Sequence, residues 1–188
     1  MNEKEKMNAG LLYDACKDEN LFLERQKCKE LCQKYNRTSP ELLDERKAIM
    51  KQILGKTGKE FLIEQNFFCD YGYNVKIGEN FYANHNLVIL DPASVEFGDN
   101  VFVGPNCGFY TAEHPLDAKT RIKGLEYAKP IKVGDNVWFG GNVAVLAGVT
   151  IGKNAVIGAG SVVTEDIPEN ALAVGNPCKI LRFITQND

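Results

Sequence analysis

Of the two histidines in the chain, His85 and His114, only His114 stands where the sequence pattern breaks. It lies at the head of EHPLDAKTRIKGLEYAKP, residues 113–130, which interrupts an otherwise regular run. An imidazole titrates near neutrality, so it can take a proton from a hydroxyl nucleophile. General-base help of this kind is worth roughly 10²- to 10⁴-fold. His85 lies inside a regular unit beside a corner, which suits packing or a surface role. The six cysteines, at 16, 28, 32, 69, 107 and 178, include no Cys-x-x-Cys pair and no zinc-spaced Cys/His cluster, so no metal is called for. Cys28 and Cys32, one helical turn apart, read as the buried face of a helix.

Two regions with different periods must position these groups. From about Asn20 to Gly55 the apolar residues recur at helical spacing: Leu21, Cys28, Leu31, Cys32 and Tyr35, then Leu42, Ile49, Ile53 and Leu54. Two helices are predicted. Thr38 and Glu41 would form a capping box, Pro40 would sit in a first turn, and Gly55 would close the second helix in a left-handed conformation. The boundary falls near residue 56, giving an N-terminal helical segment over 1–56 and a β domain with a C-terminal tail over 57–188.

Beyond about Phe61 the period is six: VKIGEN, FYANHN, LVILDP, a two-residue insert, VEFGDN, VFVGPN, CGFYTA, then the interruption, then IKVGDN, VWFGGN, VAVLAG, VTIGKN, AVIGAG, SVVTED. The third position of all twelve units is Ile, Val, Phe or Ala, as a short strand needs if one side chain per turn enters a common core. The fourth is Gly in seven units and Asn84 in another, residue types that tolerate a sharp corner. Every third unit carries Leu90, Tyr110, Leu146 or Thr164 there instead, so three strands make one coil. The predicted architecture is mainly β, a triangular prism of stacked parallel strands with a protruding loop at about 113–130. Asn84 follows the second face of its coil and His114 the third, so an edge of the prism separates them. They are expected to meet only across subunits.

The hexads, together with AGLLYDA, FFCDYGYNVKIGENFYANHNLVILD, YTAEHPLD, GLEYAKPI, NVWFGG and AVGNPCKI, make the chain resemble the maltose and galactoside O-acetyltransferases, a branch of the left-handed β-helix acyltransferases. The resemblance implies acetyl transfer from acetyl-CoA to a sugar hydroxyl, a homotrimer, and active sites between subunits. It implies His114 as general base and Asn84 as the group that helps position the acceptor and the developing oxyanion. Asp14, Asp70, Tyr82, Asp91 and Glu126 are implied as acceptor contacts, although Pro92 stands where galactoside enzymes carry an acid. Gly124–Tyr127 leans toward the maltose type. Trp138, Gly141, Ala159, Thr164, Lys179 and Arg182 match the coenzyme groove, and Glu165 stands where relatives usually carry Lys, which would cost a phosphate contact. No cysteine matches an active-site position, so direct transfer in a ternary complex is expected.

Competing classes fare worse. A zinc hydratase on the same prism needs three histidines per metal. GVTIGKN has the wrong glycine spacing for a phosphate loop and Asn after its Lys. A net charge of -3 from interspersed acids and bases has no nucleic-acid footprint. The opening MNEKEKMN puts charges where a signal peptide is apolar, and no apolar run approaches the roughly 20 residues of a membrane span, so a cytoplasmic location is expected. A non-enzymatic solenoid, or an antibiotic or amino sugar as acceptor, are the alternatives.

Overall fold

The structure, a computed structural model, describes residues 1–186. Its centre is a three-sided stack of short strands. One face holds Phe61–Ile63, Phe81–Ala83, Phe102–Val103, Trp138–Phe139, Val156–Ile157 and Ala171–Val174 in parallel, and Lys179–Phe183 adds an antiparallel edge. A second face holds four parallel strands, from Val75–Lys76 to Thr150–Ile151, and a third holds five, from Phe68–Cys69 to Val162–Val163. The stack therefore begins one coil before VKIGEN. An isolated bridge between Lys56 and Lys76 starts it.

Third-position side chains fill the axis. Phe81, from the first position of its unit, joins third-position Phe97, Phe109 and Phe139 in a column with successive centroids 5.0, 4.8 and 5.2 Å apart, the last two pairs edge to face. Such contacts add about 0.5–1.5 kcal/mol each beyond burial. The corners work differently from the sequence expectation. Left-handed backbone falls at the sixth position of the hexads, on asparagines such as Asn80, Asn100, Asn136 and Asn154 and on Gly148 and Gly160, whereas Asn84 and the fourth-position glycines do not adopt it. Successive asparagine amides hydrogen-bond along the edge, from Asn80 to Asn100, Asn136, Asn154 and Asn170, at 2.8–3.0 Å. The fourth-position glycines are needed because the next coil lies too close for a side chain. A Cβ on Gly104 would sit 2.7 Å from Gly140 C, and one on Gly134 would sit 2.7 Å from Lys153 N.

Among the described residues four helices decorate the stack: α1 (Glu3–Asn8), α2 (Glu19–Arg37), α3 (Leu43–Ile53) and α4 (Ala118–Arg121). The two predicted helices are α2 and α3, and their buried faces share one core cluster with the prism. Their ends differ from expectation. Thr38 closes α2, bonding Lys34 O through both N–H and Oγ1, and α3 starts at Leu43 with no side-chain cap. Gly55 is not left-handed; it follows the α3 C-cap and presses on the Tyr73 carbonyl, where no Cβ fits. A capping box is present on α1, which the periodicity did not reveal, between Asn2 and Glu5. Among the described residues no helix is long and apolar enough to cross a membrane.

Candidate active site

The interruption at 113–130 folds as a hairpin. Ala112–Glu113 pairs antiparallel with Tyr127–Ala128, a Glu113–Lys129 ion pair of 2.8 Å holds the base, and Asp117 caps α4 at the tip. His114 is exposed on this hairpin, with Nδ1 3.0 Å from the Leu125 carbonyl. A carbonyl can only accept, so Nδ1 carries the hydrogen and the lone pair lies on Nε2. The fold thus selects the tautomer a general base needs.

Glu126, next to Leu125, is half-buried and accepts a 2.5 Å hydrogen bond from the Tyr13 hydroxyl. Paired backbone bonds between Tyr13 and Glu126, 3.0 and 3.1 Å, tie the N-terminal segment to the hairpin. Burial and the Glu126 carboxylate push the Tyr13 phenol above its ordinary range, so it remains a donor. Asp70 faces a cavity of about 510 Å³ between α2 and the five-stranded face. No described residue hydrogen-bonds to its carboxylate. Burial and the charge of Glu126 raise its pKa, against the pull of Arg25 and Lys29. Register places Cys69 beside Ile89 and Leu90 beside Tyr110, so Asp70 belongs to the edge from which the His114 hairpin emerges.

Two residues expected to touch an acceptor have protein partners of their own, and one of them is shut off from any ligand. Asp91 is fully buried, and its carboxylate accepts the backbone N–H groups of Asp70, Tyr71 and Gly72 at 2.9, 2.9 and 2.7 Å. Burial pushes its carboxyl up to about 6 against those three donors. It shapes the turn that presents Asp70 and has no route to a ligand. Asp14 accepts the backbone N–H groups of Cys16 and Lys17 and pairs with Lys17 Nζ at 3.2 Å. Partial burial would raise its pKa, but these bonds hold it below the usual carboxylate range.

Asn84 and Tyr82 lie on the seven-stranded face. With Phe102, Val103, Gly104 and Trp138 they line a groove of about 360 Å³. The Asn84 Oδ1 accepts the His85 N–H at 2.7 Å, which leaves Nδ2 to donate outward. Across this face Trp138, Val156, Leu172 and Arg182 are in register. Trp138 is 56% exposed. Gly141 and Ala159 occupy the following corners, and Gly160 N–H donates to Gly141 O at 2.9 Å. Thr164 is exposed one face away, where its neighbour Glu165 pairs with Lys179 at 3.0 Å. The predicted residues therefore form two groups in one chain, His114 with Glu126 and Asp70 along one edge, and Tyr82, Asn84 and Trp138 on another face.

Residues 6–58 match the maltose acetyltransferase hexapeptide capping motif, and residues 130–165 match the hexapeptide repeat of succinyl-transferase. The Escherichia coli galactoside O-acetyltransferase is 41% identical over 98% of this chain and 90% of its own length. The chain belongs to the galactoside and maltose O-acetyltransferase family. The crystal structure of a maltose O-acetyltransferase from Clostridium difficile superposes with a TM-score of 0.97 at 51% identity, covering 99% of both chains. A galactoside acetyltransferase in complex with coenzyme A superposes at 0.96 with 40% identity, over 100% of this chain and 94% of that one.

Sequence reasoning missed three contacts around the candidate residues of this acetyltransferase. Tyr13 sits beside Asp14 in AGLLYDA, but nothing local shows that its hydroxyl finds Glu126, 113 residues later. Arg25 donates to the Tyr71 hydroxyl and the Ala15 carbonyl at 2.7 and 2.6 Å, and its charge reaches Asp70. The Leu125 carbonyl that orients His114 is a backbone group with no sequence signature.

Proposed function

We propose that the enzyme transfers acetyl from acetyl-CoA to a hydroxyl of a maltose, glucose or galactoside-type sugar, in a ternary complex at sites shared between copies of a homotrimer. The observation that carries this reading is the His114 Nδ1 contact with Leu125 O, which leaves Nε2 basic on the hairpin that also carries Glu126. His114 Nε2 removes the hydroxyl proton as the sugar oxygen attacks the thioester carbonyl, and Asn84 Nδ2 from a neighbouring copy donates to the oxyanion that develops. A donor in that role contributes about 2.7–4 kcal/mol. Asp70 and Glu126 offer acceptor oxygens to the other sugar hydroxyls, and Tyr82 offers a phenol. Trp138, Gly141, Ala159 and Thr164 would hold the donor's arm, with Lys179 and Arg182 toward its phosphates. An exposed indole beside small residues and two cations suits a long, part-apolar, phosphorylated ligand. Six free thiols accord with a reducing cytoplasm.

The test is a thiol-release assay with acetyl-CoA across maltose, glucose, galactosides, amino sugars and antibiotics, comparing the wild type with His114→Ala. The substitution lowers kcat by about 10²- to 10⁴-fold with an unchanged melting curve, since the side chain is exposed. Wild-type turnover in His114→Ala, or acetyl-labelled protein accumulating without acceptor, overturns the mechanism. A fully active monomer in sedimentation overturns the shared site.

A further inference from the structure

One cluster of reactive side chains lies outside the acetyl-transfer site. Cys28 and Cys32 face inward from α2, and Cys69 meets them from the strand below. The Sγ atoms of Cys28 and Cys69 are 3.4 Å apart, those of Cys32 and Cys69 are 3.9 Å apart, and all three lie within 4.8 Å of one another. All three residues are buried free thiols. Among the described residues this is the one group of three potential metal ligands that converges in this way. We propose that Cys28, Cys32 and Cys69 form a trithiolate site for one soft, closed-shell cation, Cu(I).

Spacing and ligand type carry the assignment. Three sulfurs around an ion with bonds of about 2.3 Å sit about 4 Å apart, close to the separations present. Thiolates alone select soft ions such as Cu(I) or Zn(II). A structural Zn(II) site takes four ligands. Among the described residues no fourth converges: Asp91 spends both oxygens on backbone N–H groups, and Asp70 is not part of the converging group. Cu(I) accepts three. Entry is open, because Cys32 and Cys69 line the 510 Å³ cavity beside Asp70. Binding forms three metal–sulfur bonds and releases three thiol protons to solvent, with no electron moved. Arg25 and Lys29, on the same helix, offset the negative charge of the loaded site.

Full-length protein carrying Cys16→Ser, which removes the exposed thiol, is reduced and titrated anaerobically with Cu(I) as its acetonitrile complex against a Cu(I)-specific chelator. The expected result is one ion per chain, held against the chelator, with X-ray absorption showing three sulfur neighbours and nothing lighter. Adding Cys69→Ala weakens binding by about 100-fold or more, since even outer-shell changes cost 10- to 100-fold. X-ray absorption on the intact triad decides the matter if Cys69→Ala does not fold. Failure to take up Cu(I), a shell containing oxygen or nitrogen, displacement of Cu(I) by equimolar Zn(II), or undiminished affinity in Cys69→Ala overturns the site.

Discussion

Tyr13→Phe separates substrate positioning from chemistry in this enzyme. Tyr13 is fully buried, and its hydroxyl is placed 2.5 Å from Glu126 Oε1. Phenylalanine fills the same space, and the backbone pair between residues 13 and 126 survives, so the hairpin and the His114 contact with Leu125 stay in place. What is lost is one hydrogen bond to a carboxylate, worth about 1.5–3 kcal/mol. Glu126 is half-buried, so water replaces part of it, leaving about 1–2 kcal/mol of misplacement. That corresponds to an acceptor KM raised roughly 5- to 30-fold. Initial rates of thiol release, with acetyl-CoA saturating and sugar varied, should show this rise with kcat within about threefold of wild type and the donor KM unaltered. An unchanged acceptor KM refutes the idea that Tyr13 aims Glu126 at the sugar. A large fall in kcat at constant KM shows instead that Glu126 belongs to the chemical step.

Glu165→Gln frees Lys179 from an exposed ion pair worth about 0.2–1 kcal/mol, so the coenzyme KM falls up to about fivefold at low ionic strength and the difference fades in high salt; an unchanged or raised low-salt KM counts against Lys179 as a phosphate contact. Gly98→Ala would ordinarily stabilise a residue of negative φ, but its Cβ would overlap Asp135 Oδ1 and lie 2.8 Å from Asp135 N. Forcing the coils apart costs about 1–3 kcal/mol, a drop of roughly 2–12 °C in Tm by calorimetry, and an unchanged Tm would mean the corner has room. Asp91→Ala strands two buried N–H groups and one part-buried one and costs about 3 kcal/mol or more, and it raises the acceptor KM by loosening the Asp70 turn; thermal melting and sugar kinetics check both.

The hexad was legible because burial at one position in six is a local constraint repeated coil after coil, and a stacked fold has few ways to satisfy it. The corner was misread for the same reason. Gly and Asn both tolerate left-handed angles, and only the stack shows that Asn takes the angle while Gly makes room for the neighbouring coil. Helix interiors followed from periodicity, whereas the helix ends did not. Thr38 and Glu41 have capping chemistry, yet tertiary packing starts α3 at Leu43, beyond both.

His114 and Asn84 stand out from the repeat by residue type, but their proposed roles come from the family resemblance rather than from the pattern. Three things needed the tertiary structure: which imidazole nitrogen is basic, what holds Glu126, and which aspartate faces a cavity. Asp70 and Asp91 are both acidic positions in the same quoted stretch. Three backbone N–H groups close around one and none around the other, because the coils bring residues 70–72 over residue 91. Convergence of Cys69 on Cys28 and Cys32 has the same origin. Sequence spacing reports neighbours within a helix or a coil, and contacts between α2 and a strand some 40 residues on depend on how the whole chain packs.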